Sequence, residues 1–349
     1  MTSGIDILGI LTSFATFLGV YAILALSLNL EYGYAGQPNF GKVLFYSVGC
    51  YLAGFISTVF LIYLGGQTVP GIGSYQATVL RGISGASQPF LNAAGFIVAL
   101  IVGFVFAALV GYVASFPALK LREDYLGMTL LVAGEIVRII VRGQTWFSGG
   151  AQGIAGVPNP FIWIGDAKLR YLSYAVLVLG FALLTCFCMI KLTNSPYGRL
   201  LKSVRDDDLA AASFGKNVPR IRGGVLAIGS GFAGVAGVLY TYYSGFVQAD
   251  AFIPAVTFAV WVMVIVGGTA NMKGAFAGAV IISSIDTLTR IFGIEFQGSL
   301  PFLIDPTYLR YIAYAILIIL VLMYRPSGLI PEQPVKTPAW RVATEEKRS

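Results

Sequence analysis

Charged side chains are scarce in this chain, yet two pairs of them fall at helical spacing inside apolar runs. Glu135 and Arg138 are three residues apart, and Asp286 and Arg290 are four apart. Both spacings put opposite charges on one helical face. A charge at bilayer depth costs at least about 2.5 kcal/mol and faces either a partner or a water-filled path. The pairs therefore read first as self-neutralising locks between helices, and second as polar lining of a substrate path. A third feature, GQPNFGKV at 36–43, imitates a phosphate-binding loop through Gly36, Gly41 and Lys42. Such a loop needs Ser or Thr after the lysine to ligate magnesium and a strand before it. Here Val43 follows and an apolar segment precedes, so ATP binding by this chain is not expected. There is no histidine, which removes imidazole catalysis. Cys50, Cys186 and Cys188 all lie in apolar runs, and neither a Ser/His/Asp set nor a metal-ligand spacing occurs. An enzyme is disfavoured.

The elements that carry these residues follow from composition. Of 349 residues, 57% are hydrophobic and 11% charged, and the mean hydropathy is +0.79. A soluble domain carries roughly 25% charged residues. The expected fold is all-α, a polytopic transmembrane bundle of about eight to ten segments, since each crossing needs roughly 20 apolar residues. Nine candidates can be marked, at 11–30, 43–64, 92–117, 124–142, 170–191, 222–245, 251–268, 273–292 and 308–324. MTSGIDILG at the start lacks a basic region and a cleavage site, so the first segment is expected to remain as a membrane helix. Residues 1–330 read as one transmembrane domain and 331–349 as a short cytoplasmic tail.

The densest charge lies in GRLLKSVRDDDLAAASFGKNVPRIR, 198–222, within a loop over 192–222. Placing that loop in the cytoplasm puts sixteen of the 23 basic residues on the same side, Lys42, Lys120, Arg122 and Lys273 among them. The positive-inside rule then gives an outside N-terminus and an inside C-terminus. The basic pI of about 9.2 reflects that asymmetry and not a nucleic-acid partner. Ser195 and Pro196 suit an N-cap and first helical position. Asp206 is a second N-cap candidate, with Asp207 and Asp208 in the first turn. Ala210, Ala211, Ala212 and Ser213 give a smooth surface, and Gly215 suits the left-handed residue beyond a helix end. A short acid-capped helix of this kind fits a groove on a partner.

Two long segments, 65–91 and 143–169, are rich in Gly, Pro, Ser and Gln and read as outside surface loops or as a docking surface or lid. Small residues recur every four positions at Gly223, Ala227 and Gly231, at Ser230 and Gly234, at Ala233 and Gly237, and at Ala270, Gly274 and Gly278. That period lets helix backbones approach closely. GYAGQPNFG (33–41) and VGGTANMKGAFAG (266–278) mix Gly with Asn and Gln beside apolar segments, as broken helices lining a cavity do. Gln37, Asn39, Gly41, Gly267, Gly268 and Asn271 are the substrate-path candidates they supply.

The pattern Asp208, Ala210, Ala211, Gly215 resembles the cytoplasmic loop by which permeases of ATP-binding-cassette (ABC) importers dock on their ATPase. Over most of residues 20–330 the chain resembles the LivM type of branched-chain amino acid ABC permeases, which have urea and short-amide relatives. The likeness rests on YAILALSLNLEYGYAGQPNFGKVLFYSVGCYLAG (21–54), LKLREDYLGMTLLVAGEIVRII (119–140), SGGAQGIAGVP (148–158), 195–222, VIVGGTANMKGAFAGAVI (264–281) and MYRPSGLIPE (323–332). Where that family reads close to GQLSLGH this chain has GQPNFGK, a departure that bears on the substrate more than on the fold. Asp208 replaces the usual glutamate and keeps its charge. The resemblance implies a subunit of the cell membrane that transports branched-chain or other hydrophobic amino acids and performs no chemistry. It implies a homologous second permease, two ATPases that hold ATP and Mg, an external solute-binding protein and membrane lipid as partners. Arg205, Asp206, Asp207, Asp208, Ala210, Ala211 and Gly215 would form the ATPase contact. Urea or a short amide is the alternative substrate. An ATP-independent channel or carrier would have no use for an ATPase socket.

Overall fold

The structure, a computed structural model, describes residues 7–118, 123–295 and 306–332. In chain order its helices are α1 (Ile7–Asn29), α2 (Lys42–Thr58), α3 (Tyr75–Ser87), α4 (Pro89–Ala118), α5 (Glu123–Gly143), α6 (Thr145–Ser148) and α7 (Ala167–Asn194). There follow α8 (Pro196–Asp206), α9 (Asp208–Ser213), α10 (Val218–Ser244), α11 (Pro254–Gly267), α12 (Met272–Glu295) and α13 (Pro306–Tyr324). Single π-helical turns extend α1 over Leu30–Tyr34 and α2 over Val59–Tyr63. The chain is an all-α bundle, and among the described residues seven helical stretches are long and apolar enough to cross a membrane. They match seven of the nine expected segments. The last, Tyr308–Tyr324, is apolar but shorter. The segment at 124–142 is helical as α5, but Glu135, Arg138 and Arg142 make it too charged to count among the seven.

Helix ends follow their local chemistry. Ser74, Asp166 and Asn217 accept hydrogen bonds from the backbone N–H groups of Ala77, Lys168 and Arg220, and so cap α3, α7 and α10. Pro196, Pro219 and Pro254 stand in first turns, where a missing N–H costs nothing.

At the centre α10 packs on α4, α2 and α1. Glycine makes this possible: a methyl group at Gly49 would collide with the Gly234 carbonyl, and one at Gly237 with the carbonyl of Tyr46. Without a hydrophobic drive between helices in lipid, such backbone approach supplies the packing energy. The same holds where Gly274 and Gly278 of α12 lie against Gly267 and Met263 of α11. The small-residue period in the sequence thus marks the inter-helix seams.

The segments at 65–91 and 143–169 are not free loops. The first contains α3, and the second holds a strand, β1 (Ile154–Ala155), paired antiparallel with β2 (Phe246–Val247). Arg81 of α3 is fully buried between them. Its guanidinium donates to the Ala155 carbonyl (2.9 Å from Nε), to Thr58 Oγ1 (2.9 Å) and to the Ile72 carbonyl (2.9 Å). Burial lowers its pKa to about 10, so it stays charged at neutral pH. Replacing Arg81 by Ala leaves these acceptors unpaired, and a loss of about 3 kcal/mol is expected. Thermal unfolding in detergent measures it, and limited proteolysis should show new cleavage within 65–91. An unchanged melting temperature and cleavage pattern would remove Arg81 as the tie of this cap.

Candidate functional site

The break between α1 and α2 is built around a buried charge pair. After the π turn the chain reverses at Gly36, whose φ of 70° is left-handed, and the Gln37 N–H donates to the Glu31 carbonyl at 2.9 Å. Non-helical backbone at this depth requires partners from within the protein. Asn39 supplies one, accepting from the Gly41 N–H at 2.9 Å, and its Nδ2 donates to the Glu31 carboxylate at Oε2, also at 2.9 Å. Lys42 Nζ lies 2.8 Å from Glu31 Oε1 and 3.2 Å from the Gly229 carbonyl of α10. Both charged side chains are sealed, Lys42 at 1% exposure and Glu31 at 0%. Gly229 is the notch that admits the carboxylate, since a methyl group there would overlap Glu31. From α11, Trp261 donates to the Asn39 carbonyl at 3.2 Å and stacks on Phe40 with ring centres 4.7 Å apart. Gln37 is buried too, and its side-chain amide finds no partner among the described residues.

Lys42 is therefore corrected from a cytoplasmic loop charge to half of an internal ion pair. Its removal leaves fifteen of the sixteen basic residues counted for the cytoplasmic side. Lys120, Arg122 and the tail 333–349 lie outside the described residues. Glu31 was missed as a site residue, although it is the sole acid between Asp6 and Glu123 and a lysine follows eleven residues later. That isolation was the available clue.

The second break, between α11 and α12, is a tight turn. Gly268 has φ 119° and Ala270 has φ 57°. Asn29 clamps it, donating to the Asn271 carbonyl at 3.0 Å and accepting from the Ala270 N–H at 2.9 Å. Gly267 lies against Gly274, and Gly268 against the backbone of Ser327 and Ile330. Residues 325–332 thus pack on this turn, with the N–H groups of Leu329 and Ile330 donating to the carbonyls of Val266 and Gly267. Asn271 donates to the Pro331 carbonyl at 3.0 Å. Of the six substrate-path candidates, Gln37, Asn39 and Gly41 belong to the first break, and Gly267, Gly268 and Asn271 to the second.

The segment 195–222 folds as α8, α9 and the start of α10. Gly198, Leu201 and Val204 bury one face of α8, three residues apart. The cap of α9 falls one residue later than expected. Asp206 ends α8, and Asp207 is the N-cap, accepting from the Ala210 N–H at 2.9 Å, which leaves Asp208 alone in the first turn. Asp208 also pairs with Arg222 at 3.4 Å. Gly215 is left-handed at φ 73° and its N–H caps the helix on the Ala212 carbonyl. Ala211 packs under α9 with Val204 and Val218, while Leu209 and Phe214 stand 77% and 83% exposed.

Arg205 ties this segment to both breaks. It donates to the Gly33 carbonyl in the π turn at 2.7 Å and to Glu332 Oε2 at 3.1 Å, and reaches Asp206 Oδ1 at 3.0 Å. Partial burial pulls its pKa down, but the bonds to Glu332 and Asp206 outweigh that and hold it above the usual value. Lys202 reaches the same Glu332 at 2.6 Å. Glu332, at the end of the described chain, gave no sequence sign of this role.

The two charge pairs form as spaced but extend to other elements. Arg138 meets Glu135 at 2.8 Å and also Asp250 at 3.4 Å, and Asp250 takes Arg142 at 3.3 Å. Asp286 lies 3.8 Å from Arg290, but also 3.8 Å from Arg310 of α13, and accepts from the Tyr314 hydroxyl at 2.7 Å.

Residues 10–322 match the family model described as the permease component of the branched-chain amino acid transport system. The chain belongs to this family. A probable branched-chain amino acid transport permease protein LivM of Methanocaldococcus jannaschii is 34% identical over 92% of this chain and 93% of its own length. The high-affinity branched-chain amino acid transport system permease protein LivM of Escherichia coli K12 is 26% identical over 91% of this chain and 69% of its own. The LivH permease of the same organism is 24% identical over 90% and 92%. No solved structure matches the chain. The protein is thus a multi-pass membrane permease and not an enzyme.

Breaking the Glu31–Lys42 pair in this permease from one side strands a buried charge, at a cost of about 3–5 kcal/mol. Lys42→Met alone should lower stability by that amount, and Glu31→Gln with Lys42→Met by clearly less. A double-mutant cycle of thermal unfolding in detergent reads the coupling, and additive losses would dismiss it.

Proposed function

We propose that this permease is one membrane subunit of an ABC importer that carries branched-chain amino acids into the cell. The observation that carries the reading is α9, an acid-capped helix presenting the exposed Leu209 and Phe214 beside a rigid tie at Arg205. An exposed apolar pair on a short, capped, externally smooth helix is the form taken by a segment that seats in a partner's groove. The partner is a cytoplasmic ATPase, which holds ATP and Mg. This chain binds neither. A homologous second permease completes the membrane unit, and the amino acid arrives from an external solute-binding protein seated on the cap around α3, β1 and β2. Lipid covers faces such as Ile97, Ile101 and Val105 of α4, each more than half exposed.

Coupling then runs through backbone and ion pairs. A displacement of α8 and α9 pulls the Gly33 carbonyl through Arg205, and so acts on the end of α1. The same displacement pulls Glu332 and the 325–332 segment, which is bonded to the α11–α12 turn. Both breaks therefore move with the coupling helix, as in a rigid-body switch of access.

Phe214→Asp should reduce ATP-driven leucine uptake by the reconstituted complex about tenfold or more, with unchanged thermal stability because the ring is exposed. Uptake at the wild-type rate would refute an ATPase contact through α9. Arg205→Ala is expected to leave the ATPases bound while ATP hydrolysis no longer drives uptake. Parallel measurement of the two rates in proteoliposomes tests this, and a proportional fall in both would place Arg205 in assembly instead.

A further inference from the structure

The ionic cluster around Arg138 stands beside a cleft that the function described so far does not use. The cleft lies between α2 and α5 and ends at the 3-10 turn Ala249–Ala251. Its walls include Val137, Val141 and Phe252, with Ser47 and Tyr51 on the α2 side and Arg138 at its edge. Tyr51 is 93% buried, at 7% exposure, yet its hydroxyl finds no hydrogen-bond partner among the described residues. A buried hydroxyl left unpaired costs about 1–3 kcal/mol unless something binds it.

The charges at the edge are unusual for a membrane helix. Glu135 and Arg138 are 29% and 22% exposed, Asp250 42% and Arg142 55%. Charges held half-open on a helix of membrane length face water or a polar solute in preference to lipid. One carboxylate and one guanidinium 3.4 Å apart, Asp250 and Arg138, offer opposite charges at the separation of an amino acid's own charged groups. Below them lies an apolar wall.

We propose that this cleft receives the transported amino acid. The α-carboxylate exchanges onto Arg138 with a bond from the Tyr51 hydroxyl, the α-ammonium onto Asp250, and the branched side chain lies along Val137, Val141 and Phe252. The Arg138–Asp250 pair closes the cleft when it is empty and divides its two charges over the zwitterion when it is filled. In this structure the cleft is shut to about 10 Å³, the room of one water. Entry requires α5 to swing away from α2. The inference rests on the importer reading above, and it names which face of the chain meets the substrate.

The test uses the complete reconstituted complex carrying Val137→Cys, with Cys186→Ser and Cys188→Ser. The buried Cys50 remains, and the same chain without Val137→Cys is the control. The rate of labelling by a methanethiosulfonate reagent is read with and without L-leucine. Protection of about tenfold is expected from leucine, and little from isoamylamine, which lacks the carboxylate. Arg138→Gln should cancel the protection and Arg138→Lys should restore part of it. If Arg138→Gln does not assemble, the leucine and isoamylamine comparison on Val137→Cys alone decides. Absent or equal protection in a complex whose unsubstituted form imports leucine overturns the cleft and leaves the importer standing. A complex that imports no branched-chain amino acid overturns the importer, and leucine protection of Val137→Cys then supports or refutes the cleft by itself.

Discussion

Within an apolar bundle a broken helix exposes backbone groups that no water reaches, and every one of them must be answered from inside the protein. At the break between α1 and α2 the side chains of Asn39, Trp261 and Arg205 answer backbone groups, and the Glu31–Lys42 pair holds Asn39 in place. The carboxylate is shared between Lys42 and Asn39, and the ammonium between Glu31 and the Gly229 carbonyl. Gly229 must lack a side chain for the carboxylate to fit, so α10 is bound to the break by shape as well as by charge. Trp261 and Phe40 then fix α11 against the same turn. The positions of α1, α2, α10 and α11 all follow from keeping one ion pair dry.

That arrangement ties the segment of α8 and α9 to both breaks. Arg205 touches a carbonyl of the π turn that directly follows the helix bearing Asn29, and Asn29 clamps the second break. Glu332 closes a circuit from α8 through 325–332 back to α11. Interfaces held by discrete hydrogen bonds and glycine contacts have few intermediate positions, which favours two-state movement over gradual deformation.

Much of this was legible in the sequence because the bilayer restricts the answer. Apolar length gave seven of the spans, and the spacing of Gly234, Gly237, Gly274 and Gly278 marked the seams. Gly215 announced the end of α9 through the left-handed backbone it adopts. The cap moved from Asp206 to Asp207 because three successive aspartates are equivalent by composition, and only the end of α8 distinguishes them. The partners of charges were harder to read. Spacing paired Glu135 with Arg138 and Asp286 with Arg290, yet Asp250 comes from a distant 3-10 turn and Arg310 and Tyr314 from α13, and they obey no local period. Lys42 looked like a loop residue because nothing local places Glu31 over it.

The tie at Arg81 has a consequence for how the chain is assembled. Its main acceptor, the Ala155 carbonyl, belongs to a strand whose pairing partner, β2, follows α10. During stepwise insertion α3 and two of the acceptors, Thr58 and Ile72, are made long before that partner exists, so one side of the guanidinium lacks its bonded carbonyl until β1 pairs with β2. Closure of the cap is then a late event of high contact order, and a chain halted before α10 would carry an open, protease-accessible cap.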